Sequence, residues 1–361
     1  MTLLTSTIDL GAIAHNVAYF KELAAPARLM CVVKADAYNH GTARVAPVME
    51  AAGADAFGVA TVEEAVALRQ EGIGKPIAAW IWDPQMDLSD AAAHNITLGV
   101  PSLAHAHAVV DSGIAFRVFI KVETGMHRSG VEEADWAEVF RVLGDAPKVQ
   151  VEGLMSHFAC ADDPDNPHND VQEEAFRRAV EAARAAGLEC PLNHLSNTPA
   201  TLTRPSARFD MVRVGVGLYG LEPVQGLDHG LRPAMTWHAQ VVNVKPIAAG
   251  QGTSYALTWT APEDGFLATV ACGYADGLPR AVQGGLEVTI GGRPYPQVGR
   301  VCMDQFVVYL GKRTEVRQGD TAIIFGQGGM NATELARATG TINYEIVCRP
   351  CGRTRRSYRE A

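Results

Sequence analysis

Lys34 stands at the downstream end of an unbroken apolar run, Leu29-Met-Cys-Val-Val33, and is followed by Ala-Asp-Ala-Tyr38-Asn-His40-Gly41. A run of this kind with an abrupt polar edge predicts a strand buried on both faces. An amine leaving such a strand sits in an apolar rim. That setting disfavours its charged form and prepares a nucleophile. The alternative is a lysine that snorkels to solvent. Tyr38 precedes a glycine and a helical pattern from Thr42, so its hydroxyl suits a phosphate contact near a helix N-terminus.

Two further stretches carry chemistry. Gly215-Val-Gly217-Leu-Tyr-Gly220 has the GxGxxG spacing. A dinucleotide fingerprint needs a following helix and an acidic residue about 20 positions on, but Pro223 arrives at once. What survives is a cradle for a single phosphate, made by the backbone N–H groups of Gly215 and Val216. Arg213, just upstream, is a hydrogen-bond donor only, at any ordinary pH. Cys348-Arg-Pro-Cys351 is a lone CxxC without the second ligand pair that a zinc site needs, and no metal is implied.

These residues require a scaffold. Apolar strand candidates are 29–33, 56–60, 77–82, 96–100, 116–122, 149–155, 192–195 and 211–216. Helical patterns lie between them at 42–52, 62–71, 86–93, 103–112, 134–143 and 171–186, with a brief turn at 198–201, and Asp9 caps a first helix to about Leu23. Eight strands with crossovers predict a (β/α)8 TIM-type barrel over residues 1–232; a doubly wound open sheet is the runner-up. The barrel reading places chemistry at downstream strand ends, and Lys34, Asp83, Lys121, Glu123, His157 and Ser196-Asn197 fall there, with Arg213 within the eighth strand. After Arg232-Pro233 the texture changes to short alternating runs at 235–244, 266–271, 286–290, 306–310 and 321–325, with one helix at 333–338 capped by Asn331. Residues 233–361 thus read as a mainly β domain, and the basic tail Arg349–Arg359 as a solvated terminus.

The formal charge is −9, from 31 basic and 40 acidic residues, which argues against a nucleic-acid partner. No apolar run is long enough to span a membrane, and the first residues show no export signal. Seven cysteines, an odd number held mostly in apolar runs, suit the reducing cytoplasm.

Val32-Val-Lys34-Ala-Asp-Ala-Tyr38 with His40-Gly41 resembles the pyridoxal-phosphate lysine motif of bacterial alanine racemases, with Asn39 where that family has glycine. Lys121-Val-Glu-Thr-Gly-Met-His-Arg128-Ser-Gly130 is similar to a second family stretch, with His127 for glycine and Ser129 for leucine. Asp210–Gly217, Thr253-Ser-Tyr255, Gly273-Tyr274-Ala-Asp-Gly277, Gly299–Asp304 and Thr341–Glu345 follow in family order. The resemblance implies pyridoxal 5'-phosphate bound at Lys34. Its phosphate would be met by Tyr38, Thr198 (where the family has serine), Gly215, Val216 and Tyr344, with Asn197 also binding the cofactor. Arg213 would donate to the pyridine nitrogen, oriented by His194, with His157 by the ring. An arginine there weakens the electron sink that an aspartate would make.

The resemblance further implies that Lys34 and Tyr255 serve opposite faces of the substrate α-carbon, since two groups are the simplest way to remove a proton from one face and return it to the other. Arg128, Met303 and Tyr274 would contact substrate, and Lys121 would be a carbamylated lysine that holds Arg128. The family forms homodimers with shared active sites, so Tyr255, Tyr274 and Met303 would come from the partner chain. The implied reaction is interconversion of L- and D-alanine, supplying peptidoglycan. A serine or broader racemase remains open. A decarboxylase of the same architecture is opposed by Arg213, and a non-catalytic cofactor carrier by the second domain with Tyr255.

Overall fold

The computed structural model describes residues 2–360. Strand β1 (Leu4–Asp9) runs straight into the helix Leu10–Ala24, whose N-cap Asp9 accepts from the Ala12 amide. Then β2 (Arg28–Val32), β3 (Ala56–Thr61), β4 (Ile77–Ile81), β5 (Ile96–Val100), β6 (Phe116–Lys121), β7 (Val149–Met155) and β8 (Met211–Val214) form one all-parallel sheet in the order β7-β6-β5-β4-β3-β2-β8. Helices 42–51, 62–70, 103–111, 136–144 and 168–185 cross between them. The near-continuous burial of β2, β5 and β8 is what a parallel sheet covered on both faces requires.

The sheet is barrel-like, with seven regular strands rather than eight. The expected strand at 192–195 forms a single bridge, Met155 to His194. Its neighbours are still served: Leu192 and His194 donate to Glu152 O and Leu154 O on one side, and Asn193 O and Ser196 O accept from Asp210 and Arg213 on the other. Pro191 lacks a donor just upstream, Cys190 sits at φ +45°, and the Asn193 side chain takes over part of the pairing through Leu154 N, Cys190 O and Asp210. The segment therefore fills a strand's place without a strand's regularity.

The second unit holds β9 (Met235–Ile247), the two-residue pair β10 (Gly252–Thr253) and β11 (Trp259–Thr260), then β12 (Gly265–Val270), β13 (Glu287–Ile290), β14 (Arg293–Val298), β15 (Phe306–Gly311), β16 (Thr321–Phe325) and β17 (Arg355–Arg359). The sheet order is β12-β15-β14-β13-β16-β9-β1-β17, and a β12–β9 pairing closes six of these strands on themselves. Three members were not expected from the sequence. β1 precedes the barrel yet pairs with β9, β14 contains Pro294 and Pro296, and β17 is the basic tail, which pairs in parallel with β1 and is not merely solvated. The helix Ala332–Thr339 has the Asn331 cap in place.

The joint between the units is fixed by buried Asn16. Its amide donates to Leu218 O and Arg232 O and accepts from Arg232 N. Asp9 N also donates to Ala234 O. One apolar core runs through both units, from Phe20 and Phe57 to Trp237 and Phe325.

Candidate active site

The downstream ends of the parallel strands surround a cavity of about 660 Å³. Its lining includes Lys34, Tyr38, Lys121, Arg128, His157, Asn197, Thr198, Arg213, Gly215, Val216 and Tyr344. His194 stands directly behind, bonded to Arg213. Twelve of the expected residues are thus brought together from segments up to 310 positions apart. Tyr255, Tyr274 and Met303 do not line the cavity. They are 69 %, 41 % and 52 % exposed on the β unit, so a single chain leaves them in solvent.

Lys34 begins a turn of unusual backbone. Ala35, Asp36, Ala37, Tyr38 and Asn39 all have φ between +52° and +64°, a left-handed turn made almost wholly of residues with a Cβ. Each such residue costs roughly 1–2 kcal/mol, so the five together approach the stability of a whole small domain. The conformation persists only because its surroundings hold it. Inside the turn, Ala37 N donates to Val33 O and Gly41 N to Asp36 O. From outside, the Glu64 carboxylate accepts from Ala35 N. The result sends both Lys34 and Tyr38 into the cavity. Burial, and then the Arg128 cation, hold the Lys34 amine below its ordinary pKa.

Tyr38 is buried, and its ring packs at 4.8 Å from Tyr219, whose hydroxyl donates to Val32 O; Tyr219 in turn lies 4.5 Å from His40. A Cβ on Gly215 would fall 2.4 Å from Tyr38 Oη, so only glycine lets the tyrosine reach this backbone. Thr198 Oγ1 accepts from Gly215 N at 3.0 Å, and Asn197 caps the short helix 198–203 through Ala200 N. The GxGxxG stretch continues as a short 3-10 turn, Val216–Tyr219, and not as a long helix. Two tyrosine hydroxyls, a threonine hydroxyl and the backbone at Val216 form one wall of neutral donors suited to a phosphate, while the Gly215 amide is taken by Thr198 itself.

Arg213 is 5 % exposed. Nη1 donates to His194 Nδ1 and His194 O, both at 2.8 Å, and Nη2 donates to Ser156 O, Leu195 O and His157 Nδ1. A guanidinium has no lone pair to offer, so each histidine must present an unprotonated Nδ1. Burial first, and then the Arg213 cation, push both imidazoles well below their usual pKa. Both are neutral at pH 7 and serve as acceptors that aim the arginine.

Lys121, at the end of β6, is lowered from 10.5 to about 8, by burial first and then by Arg128 and Arg213. The loop carrying Arg128 is shaped by Glu123. One carboxylate oxygen accepts from the amides of Thr124, Gly125 and Met126 at 2.8, 2.6 and 2.7 Å. These bonds keep the carboxyl ionised against the pull of burial. Glu123 is committed to holding backbone, and its single charge only partly offsets the four cations Lys34, Lys121, Arg128 and Arg213. The cavity is a cationic well for anions.

Three contributors had a faint sequence signal or none. Glu123 was visible only as a polar residue after a strand. Trp80 reads as strand core, and Cys348 was noticed only for its spacing to Cys351; both line the cavity. Among the described residues, no three His, Cys, Asp or Glu side chains are grouped to hold a metal ion, and no helix is long and apolar enough to cross a membrane.

Comparison with known proteins places the chain in a family. Residues 8–223 match the family model described as alanine racemase, N-terminal domain, and residues 234–358 match alanine racemase, C-terminal domain. An alanine racemase of Corynebacterium efficiens is 59 % identical over 99 % of both chains. The crystal structure of alanine racemase from Corynebacterium glutamicum superposes with a TM-score of 0.91 at 53 % identity, covering 99 % of this chain and 100 % of that one. That of alanine racemase from D-cycloserine-producing Streptomyces lavendulae gives 0.95 at 39 % identity, covering 99 % and 97 %.

Proposed function

The chain belongs to the alanine racemase family, and on that premise we propose that it interconverts L- and D-alanine with pyridoxal 5'-phosphate held at Lys34. The observation that carries this reading is the single cavity in which an amine of reduced basicity, a fixed guanidinium and a hydroxyl-and-amide cradle converge. The cradle fits a phosphate because glycine at 215 lets the Tyr38 hydroxyl come up to this backbone beside Thr198, and its donors are neutral groups beside a cationic well. When bound, the cofactor supplies an aldehyde for the amino group and a conjugated ring that spreads the charge left at the α-carbon.

The chain's own residues then have distinct tasks. Tyr38, Thr198, Gly215, Val216 and Tyr344 would hold the phosphate, with Asn197 also binding the cofactor. Arg213, fixed by His194 and with His157 beside it, would donate to the ring nitrogen. Because it stays a donor, it limits how far the ring withdraws charge, and so restricts the chemistry to proton exchange. Arg128 binds the substrate carboxylate. Lys121, once its amine has taken up carbon dioxide, would offer an anion to hold Arg128. Lys34 moves the proton on the D-side face.

The L-side proton requires a second group, and Tyr255 is the one assigned. Its exposure in a single chain supports a homodimer in which the β unit of one subunit, with Tyr255, Tyr274 and Met303, covers the other subunit's mouth. The crowded mouth suits the methyl side chain of alanine. We read the setting as the cytoplasm, with D-alanine feeding peptidoglycan.

The test is solvent deuterium entry at Cα of L-alanine. Exchange with loss of optical rotation and no carbon dioxide is expected, and a parallel panel with serine reads the specificity. Bound cofactor with neither exchange nor inversion would point to a carrier and overturn the proposal.

A further inference from the structure

The left-handed turn after Lys34 is gripped from the far end of the chain. Arg356, on β17, places Nη1 2.8 Å from Asp36 Oδ2 and Nη2 2.8 Å from Asn39 Oδ1. Asn39 turns its own amide outward, donating to Pro350 O at 2.8 Å and Val347 O at 3.3 Å. Two residues beyond Arg356, the Tyr358 hydroxyl lies where a Cβ on Gly41 would stand, 1.9 Å away, with Arg44 over its ring. The same stretch supplies Tyr344 to the cavity. One segment of the second unit thus closes the phosphate wall and holds the outer face of the lysine-bearing turn.

The turn needs this hold. Nothing in Ala-Asp-Ala-Tyr-Asn favours five consecutive left-handed residues except the tolerance of Asn and Asp for that region. The internal bonds of the turn run through its backbone, His40 and Thr42 and leave Asp36 Oδ2 and the Asn39 side chain to be held from outside, with Asp36 half exposed. A forked guanidinium meeting a carboxylate and an amide oxygen fixes two points of the turn at once, which a single point charge cannot do.

We propose that Arg356 is a positioning residue that acts through Asp36 and Asn39 to lock the turn aiming Lys34 and Tyr38. Docking of the tail strand is thereby a condition for binding the cofactor. This assignment rests on the reading of Lys34 as the cofactor lysine.

Amide hydrogen exchange in the full chain, with and without pyridoxal phosphate, tests it. In Arg356→Ala, the Ala37, His40 and Gly41 amides should exchange about tenfold faster, as loss of charge-assisted bonds predicts. Amides of β5 and β6 should be unchanged, and half-saturation by pyridoxal phosphate should rise about tenfold. Arg356→Lys should recover only part of both. Asp36→Asn keeps the Oδ1 acceptor that Thr42 N uses while removing the charge. It should show the same pattern more weakly, and it carries the test if Arg356→Ala fails to fold. Exchange in the turn within about twofold of wild type, or faster exchange spread evenly over the chain, overturns the proposal. Borohydride labelling of the wild type separates the two readings. Label away from Lys34 defeats the functional assignment, while the exchange result still decides whether the tail locks the turn.

Discussion

Lys121 allows a prediction whose sign and size both follow from its surroundings. Its amine is lowered from 10.5 to about 8, chiefly by burial and then by the Arg128 and Arg213 cations. A lowered lysine means that the unfolded chain binds the proton more tightly than the folded one. Stability therefore rises with pH between about 8 and 10.5 and is lost as pH falls through the folded value. At 1.36 kcal/mol per pH unit, the charged amine costs the fold up to about 3 kcal/mol at pH 7, less what solvent in the open mouth screens. Lys121→Met removes the charge and keeps the length. In cofactor-free protein without bicarbonate, the substitution should raise urea stability by about 2–3 kcal/mol at pH 7, and by much less at pH 10.5.

The same amine is unprotonated in about a tenth of molecules at pH 7, which is the form that adds carbon dioxide. Added bicarbonate should then stabilise the wild type and leave Lys121→Met unmoved. Mass spectrometry of the intact protein should find one carbon dioxide gained. A difference between the two proteins that is the same at both pH values, or a bicarbonate effect shared by both, would refute the electrostatic reasoning.

The other predictions address the proton, the arginine and the cradle. Tyr255→Phe should slow racemisation by about 10²–10⁴-fold, with Cα deuterium exchange kept for D-alanine and lost for L-alanine; equal exchange from both would remove Tyr255 from the L-side role. Arg213→Lys leaves three donors for five acceptors. At least one acceptor is then left unpaired, since of the five His194 O also accepts from the Ser156 amide, so urea stability should fall by about 1–3 kcal/mol, and a loss under about 0.5 kcal/mol would contradict the network. Gly215→Ala drives a methyl into Tyr38 Oη and should weaken cofactor binding at least about tenfold; an unchanged half-saturation would show that the tyrosine can step aside.

The parallel strands were legible because a strand buried on both faces writes its burial as an unbroken apolar run. Leu29–Val33, Ala56–Ala60 and Ile77–Trp82 are of this kind. The strands with no such run were missed or overcalled. Leu192–Leu195 has apolar residues, but Pro191 and the Asn193 side chain break its pairing. β1 alternates buried and half-buried residues, yet its partners are β9 and β17, more than 200 positions away. Nothing local distinguishes such a segment from a frayed N-terminus. Most of the residues expected at strand ends line one cavity, since residues that end successive strands of a barrel-like sheet must meet at one rim.

What escaped the sequence is the set of contacts that fixes those residues in place. Ala-Asp-Ala-Tyr-Asn reads as right-handed helix or ordinary loop by intrinsic preference. Its left-handed form exists because Glu64, Arg356 and the carbonyls of Val347 and Pro350 occupy the outer bonding positions. Arginines in a terminal tail look like solvated charge, because composition cannot say that Arg353 reaches buried Asp276, that Arg356 reaches Asp36, or that Arg359 reaches Asp9. Each of those pairs joins positions at least 77 apart. A motif shows which side chains do chemistry, and the strain needed to aim them is borne by distant partners. The conformation of the lysine turn is therefore a property of both units together.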